Sequence, residues 1–223
     1  MSNSEFSFQG ILFDMDGLLI DSERLSYQSF CSTALAYDIS VTMDDYRQMI
    51  GLNHVTGLGV LRQLLPSSLD PAIFKNDWLL AYRALVDDGV PVKDGAHQLL
   101  VHLHTVGMPV AVATSSSGAR ARVTLQKAGL WEYIQHLTGG DEVPQGKPAP
   151  DVYLDAAAKL GIDPQDCVAF EDSENGTNAA IAAGVRVIQV PDMAPAMRPA
   201  NPPHHQIAPN LLAGAAMIGI RLA

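Results

Sequence analysis

Basic residues are scarce. Lys and Arg number 14 against 24 Asp and Glu, which gives a formal charge of −10 over 223 residues. No cluster of Lys and Arg is visible, and a phosphate backbone is bound by such clusters, so nucleic acid is not an expected partner. An anionic small substrate would need its positive charge supplied locally, by a metal or by one or two placed lysines. Cysteine is scarcer still. Cys31 and Cys167 lie far apart and flank no metal-ligand spacing. They make neither a disulfide framework nor a zinc site, and two buried thiols in a reducing compartment are expected. Long apolar runs are missing as well. The longest, Leu211 to Ile220, is too short to span a bilayer. Met1 to Gly10 carries no basic residue ahead of an apolar run, unlike a signal peptide. A soluble, cytoplasmic protein without a membrane partner is the expectation, with a monomer as the default state. There is no internal repeat and no low-complexity tract.

What is present is core-forming material: 48 % of residues are apolar and 17 % charged. The length suits one large domain, or one domain with a smaller insert. Short β-branched runs bounded by turn residues read as buried strands. Ile11-Leu12-Phe13 stops at Asp14, Val110 to Ala113 stops at Thr114, and Val168-Ala169-Phe170 stops at Glu171-Asp172. Val185 to Val190 is a fourth run, and the segment around Ile207 a candidate fifth. Helical patterns alternate with them. Asp94 is the expected cap of a helix running to Gly107, and the segments ending at Gly129, Gly161 and Gly184 each close on a residue suited to a left-handed terminus. This alternation predicts an α/β fold with a Rossmann-like, doubly wound parallel sheet. Residues 22–90 differ. Ser22 to Tyr37, Met43 to Ile50, His54 to Leu65 and Pro71 to Asp87 are all helix-like, and no strand run is convincing. A small all-helical domain inserted after the first strand is the economical reading. Its boundaries give a core of residues 1–20 plus 91–223 and an insert of residues 21–90. Pro191 to Pro203 is Pro-rich and reads as an irregular surface loop.

In an open parallel sheet, ligands bind beyond the carboxyl ends of the strands. Three of the runs end there in polar groups: Asp14 and Asp16, Thr114-Ser115-Ser116, and Glu171-Asp172. Four carboxylates converging on one crevice repel, so a divalent cation is expected, and oxygen ligands without His or Cys suit magnesium. Each piece is weak by itself. An Asp-x-Asp is usually a solvated turn, a Ser/Thr turn before a helix is usually a cap, Lys147 is by default an exposed loop lysine, and Glu171-Asp172 caps the next helix by default. The combination and its order carry the weight.

The combination resembles a known family. Phe13-Asp14-Met15-Asp16-Gly17 through Ile20-Asp21-Ser22-Glu23 is similar to the first motif of the haloacid dehalogenase-like (HAD) superfamily. Ala113-Thr114-Ser115-Ser116 resembles the second motif, Gly146-Lys147-Pro148-Ala149-Pro150-Asp151 the third, and Phe170-Glu171-Asp172-Ser173-Glu174-Asn175-Gly176 the fourth. The resemblance runs from about Phe8 to Asp192, specific over the motifs and loose over residues 22–90. It points to sugar-phosphate phosphatases, pseudouridine-phosphate phosphatases and beta-phosphoglucomutases with a helical cap. It implies that Asp14 attacks phosphorus and that Asp16 acts as acid and then base. It implies that Thr114, Ser115, Ser116 and Lys147 bind phosphate. Mg²⁺ would be held by Asp14, the Asp16 carbonyl and Asp172, with Glu171 in contact with it or just behind.

The activity so implied is hydrolysis of a small phosphate ester such as a sugar phosphate. The alternative is a beta-phosphoglucomutase-like phosphomutase. Asp21-Ser22-Glu23-Arg24-Leu25-Ser26 lacks the histidine common there, and the cap turn lacks a phosphate-gripping arginine. Asn53 and His54, in that turn, are candidates for substrate selection. His97, His104 and the His204-His205 pair are expected at the surface, and Trp78 and Tyr82 in the core of the insert.

Overall fold

The computed structural model describes residues 7–50, 54–193 and 204–222, with residues 54 and 55 as backbone only. Contacts divide the chain into two compact units, Met1–Ile20 with Pro91–Ala223 and Asp21–Val90.

The first unit is built on a parallel sheet. Its strands are β1 (Gly10–Phe13), β2 (Val110–Ala113), β3 (His136–Thr138), β4 (Cys167–Glu171), β5 (Arg186–Gln189) and β6 (His205–Ile207), in the order β3-β2-β1-β4-β5-β6. Every pairing is parallel. β1 lies between β2 and β4, where the strand order reverses, and that is where an open parallel sheet leaves a crevice at its carboxyl ends. β1, β2 and β4 are buried along their whole length. They read as continuous apolar runs because helices cover both faces. On one face Leu12, Ala111, Ala113, Ala169 and Val187 pack with Val152, Tyr153, Ala156, Ala157, Ala179 and Ala180. These last come from helices α7 (Asp151–Leu160) and α8 (Glu174–Ala182). Alanine on the strands lets these helices approach closely. On the other face Phe13 and Phe170 stack with centroids 5.2 Å apart. Gly214 of α9 (Leu211–Met217) sits against Phe170 and Ile188, so close that a Cβ there would lie 2.9 Å from the Phe170 ring. The remaining helices are α5 (Ala96–Thr105) and α6 (Gly118–Lys127).

Four details depart from the sequence reading. Strand β3 has only three residues at the sheet edge, too few to show as an apolar run. α5 is capped by left-handed Gly95 rather than by Asp94. His205 is fully buried, because β6 adds it to the sheet, and its ring meets Gln189 Oε1 at 3.1 Å. Cys31 is half-buried, whereas Cys167 is buried inside β4. His97 and His104 are exposed as expected, each packed edge-on against the Tyr133 ring.

Every element among the described residues of the second unit is a helix. It comprises α1 (Ser22–Ala36), α2 (Met43–Arg47), α3 (His54–Leu64) and α4 (Pro71–Asp88). Sharp start signals set its limits. Thr42 and Asp45 form a reciprocal capping box on α2, and Asp70 accepts the Ala72 N–H just ahead of Pro71 in α4. Its centre is aromatic. Phe30 lies 5.1 to 5.7 Å from the rings of Tyr46, Phe74 and Trp78. The Trp78 indole N–H donates to Ser26 O and Ser29 Oγ, both at 3.0 Å. Among the described residues no helix is long and apolar enough to cross a membrane.

Candidate active site

Asp14 is the first residue past β1, and its N–H continues the ladder by donating to Phe170 O at 3.0 Å. The chain then turns tightly. Gly17 donates to Ile20 O, and Leu19 and Ile20 both donate to Met15 O. Gly17 is required at this turn: its φ is +82°, and a Cβ there would stand 2.4 Å from Asp172 Oδ2. The turn thereby brings the segment from β1 against the one from β4.

Lys147 arrives from the loop ahead of α7, and its side chain is only 4 % exposed. Its ammonium donates to Asp14 Oδ1 at 2.5 Å and to Glu171 Oε1 at 2.6 Å. The ammonium also lies 5.0 Å from the centroid of the Tyr153 ring. The expected default of an exposed loop lysine is not what the fold builds. Burial works to lower the Lys147 pKa, but the adjacent Asp14 and Glu171 charges outweigh it and hold the pKa well above the ordinary range. Asp14 moves up too. Burial is the main cause, Lys147 opposes it, and the neighbouring Glu171 and Asp16 charges add to it. One ammonium therefore does not neutralise this group of carboxylates.

Glu171 is fully buried, and both its oxygens are engaged. Oε1 accepts from Lys147 and from the Tyr153 hydroxyl at 3.1 Å. Oε2 accepts from the Ser173 N–H at 2.9 Å and the Ser173 hydroxyl at 3.0 Å. Gly176 leaves room for this carboxylate, since a Cβ there would lie 1.6 Å from Oε1. Ser173, not Glu171 or Asp172, caps α8 through the Gly176 N–H. The sequence reading missed Tyr153 and Ser173 as parts of the site. Their only signal was position: Tyr153 is the third residue of α7, shortly after Lys147-Pro148, and Ser173 directly follows the carboxylate pair.

Oxygens of Asp14, Glu171 and Asp172 lie within 4.8 Å of one another. This is an all-oxygen, strongly anionic donor set with one lysine against it, the chemistry a hard divalent cation such as Mg²⁺ requires. The residues present fit such an ion.

Asp16 is half-buried and faces the loop after β2. The Ser116 hydroxyl donates to Asp16 Oδ2 at 2.8 Å, and the Thr114 hydroxyl lies 3.4 Å from the same oxygen. Thr114 is fully buried, and its N–H donates to Thr138 O. The Ser115 side chain is exposed, with its backbone against Gly140. The fold thus gathers Asp14, Asp16, Thr114, Ser116, Lys147, Glu171 and Asp172 at the carboxyl ends of β1, β2 and β4. Asn53 lies outside the described residues. His54 begins α3, and its side chain lies outside them as well.

Comparison with known proteins places the chain in a family. The family model described as "Haloacid dehalogenase-like hydrolase" matches residues 11–190. "Phosphorylated carbohydrates phosphatase" of Thermotoga maritima is 29 % identical over 180 residues, covering 81 % of this chain and 83 % of that protein. "Fructose-1-phosphate phosphatase YqaB" of Escherichia coli is 31 % identical over 189 residues, covering 82 % and 96 %. The crystal structure of CbbY from Rhodobacter sphaeroides in complex with phosphate superposes with a TM-score of 0.72 at 27 % identity, covering 91 % of this chain and 94 % of that one.

Proposed function

The chain belongs to the haloacid dehalogenase-like hydrolases, and on that premise we propose that it hydrolyses the phosphate monoester of a small carbohydrate or similar metabolite through an aspartyl-phosphate on Asp14. The observation that carries this reading is the buried Lys147 ammonium, shared between Asp14 Oδ1 and Glu171 Oε1. It keeps a positive charge beside the carboxylate that directly follows the central strand. Two relatives whose names specify phosphorylated carbohydrates support the substrate class.

The chemistry follows from these positions. An Asp14 oxygen attacks phosphorus, the P–O bond to the alcohol breaks, and Asp16 delivers its proton to the departing oxygen. In the second half Asp16 takes a proton from water as that water displaces phosphate from Asp14. Thr114 and Lys147 hold the transferring oxygens, with Ser115 and Ser116 lining the same loop. Asp14, the Asp16 carbonyl and Asp172 would hold Mg²⁺, with Glu171 behind them orienting Lys147. Bound magnesium would neutralise charge on the transferring phosphoryl group, which in phosphoryl transfer is most of what catalysis requires. The helical unit of residues 21–90 acts as a cap that selects the leaving group and excludes water, with Asn53 and His54 as its selecting residues.

The test is a phosphate-release assay over phosphorylated metabolites, with and without excess EDTA. Stoichiometric phosphate from a hexose or pentose monophosphate, lost in EDTA and restored by Mg²⁺, is expected. Full activity in EDTA would refute the metal assignment. Conversion of beta-glucose 1-phosphate to glucose 6-phosphate without free phosphate, followed by NMR after priming with a bisphosphate, would replace the hydrolase by a phosphomutase.

A further inference from the structure

The loop after β2 resembles a phosphate-binding turn, yet one of its hydroxyls is already committed. The Ser116 hydroxyl donates to Asp16 Oδ2, 2.8 Å away. Its backbone is held on both sides. The Ser116 N–H donates to Thr114 Oγ1 at 3.1 Å, and its carbonyl accepts the Gly140 N–H at 2.9 Å. Thr114 is itself fixed by burial and by its bond to Thr138 O. Gly140 can approach because it lacks a side chain: a Cβ there would lie 2.7 Å from Ser115 O. The hydroxyl on Asp16 is therefore presented from a loop anchored to β2 and to the turn after β3, while Asp16 sits in a turn after β1.

We infer that Ser116 is a positioning residue for the acid–base carboxyl: by holding Oδ2 it orients Asp16 so that its other oxygen faces the departing alcohol. The inference rests on the hydrolase reading above and deepens it. The step concerned is the first. As the Asp14–phosphorus bond forms and the phosphorus–alkoxide bond breaks, the proton on Asp16 passes to the alkoxide oxygen. A carboxyl free to rotate is misaimed for much of the time, and loss of alignment lowers the rate even when the acid itself is present. A residue that merely binds phosphate would affect every substrate alike. A residue that aims the acid matters in proportion to how badly the leaving group needs a proton.

The experiment measures kcat/KM of wild type, Ser116→Ala, Ser116→Thr and Asp16→Asn on aryl phosphates of graded leaving-group acidity, from dinitrophenyl through p-nitrophenyl to phenyl phosphate, in Mg²⁺. The dependence on leaving group is internal to each variant, so a partly folded preparation does not alter it. Ser116→Ala is expected to fall about 10-fold on phenyl phosphate and less than about 2-fold on dinitrophenyl phosphate, part of the larger loss that removal of a general acid causes. Ser116→Thr, which keeps the hydroxyl, is expected to retain the wild-type dependence. Asp16→Asn is expected to steepen the dependence further. A uniform loss across the series in Ser116→Ala, or no loss, overturns the inference while leaving the hydrolase intact. A wild type that releases phosphate neither from this series nor from the sugar monophosphates overturns the hydrolase reading and the inference with it. An Asp16→Asn dependence no steeper than wild type overturns the acid role of Asp16 and the inference, leaving the hydrolase intact. If only sugar monophosphates are turned over, their poor leaving group requires the full loss of about 10-fold in Ser116→Ala, whose absence overturns the inference.

Discussion

The two units are stabilised by different means. In the sheet unit, helices pack on alanine-rich strands, and polar groups are concentrated at one end, where Asp14, Glu171, Lys147 and Tyr153 are all buried and joined to one another. In the helical unit, an aromatic cluster around Phe30 forms the centre, and polar side chains serve its edges: Tyr46 donates to Glu23 Oε2 at 2.6 Å and Tyr37 to Asp77 Oδ2 at 2.5 Å. Burial, and after it the Glu23 charge, pushes the Tyr46 pKa up, so the phenol remains a donor at any working pH. The sheet unit holds charges where water would otherwise hold them better. The helical unit excludes water from rings. Mutations should therefore separate activity from stability in the first and join them in the second.

The largest expected effect is on activity. Asp14→Asn should lower turnover by about 10³-fold or more, since Asp16, the other carboxylate after β1, is turned toward Ser116 and Thr114 and does not replace the nucleophile. Its melting temperature should match or exceed that of wild type, because the change removes a buried, crowded carboxylate whose pKa is held up. Circular dichroism melts beside the phosphate assay decide it. Substantial residual turnover would refute the nucleophile assignment.

Phe30→Ala should show the opposite pattern in the helical unit, a loss of about 3–5 kcal/mol for an aromatic core truncation. The two tryptophans allow this to be followed locally, because Trp78 lies in the helical unit and Trp131 in the sheet unit. In a Trp131→Phe background, the urea transition read by Trp78 fluorescence should move to lower denaturant. An unmoved transition would show that the aromatic cluster is not the core of that unit.

Tyr153→Phe probes the floor of the charged cluster and should cost about 1–3 kcal/mol, the value of a buried hydrogen bond to a charged acceptor. Chemical denaturation in EDTA reads it without metal linkage. A loss close to zero would mean that Glu171 is adequately held by Lys147 and Ser173 alone.

The smallest effect lies in β6. Burial holds the His205 pKa below its ordinary value of 6.5. The unfolded chain therefore takes up a proton, as pH falls through about 6.5, that the folded chain does not. Stability from this residue is complete above that pH and is lost below it. His205→Asn should flatten the fall in melting temperature between about pH 6.5 and 5 relative to wild type. An identical profile would assign the acid sensitivity to other groups.

The sheet unit was more legible in the sequence than the helical one, for a physical reason. A buried parallel strand that stops at a carboxylate leaves a local mark, as at Phe13-Asp14 and Phe170-Glu171, and glycines at helix ends leave another. The family resemblance then connected Asp14, Thr114, Lys147 and Glu171 across 158 positions of chain. Edge strands leave weaker marks. In β3 only Leu137 and Thr138 are buried, and β6 includes a histidine that polarity alone would send to the surface. In the helical unit periodicity located the four helices, but not which of its rings would meet at Phe30.

Apolar run length, helix punctuation and the four motifs were enough to determine the α/β class, the helical insertion after the first strand and the identity of the acidic cluster, because each is written in residues close together along the chain. Which charge faces which was decided only in three dimensions. That Lys147 bridges Asp14 and Glu171, that Tyr153 reaches the Glu171 carboxylate, and that Ser116 turns to Asp16 depend on contacts between residues 18 to 133 positions apart. Such choices are made by the desolvation of neighbouring polar groups on burial, and no local pattern encodes them.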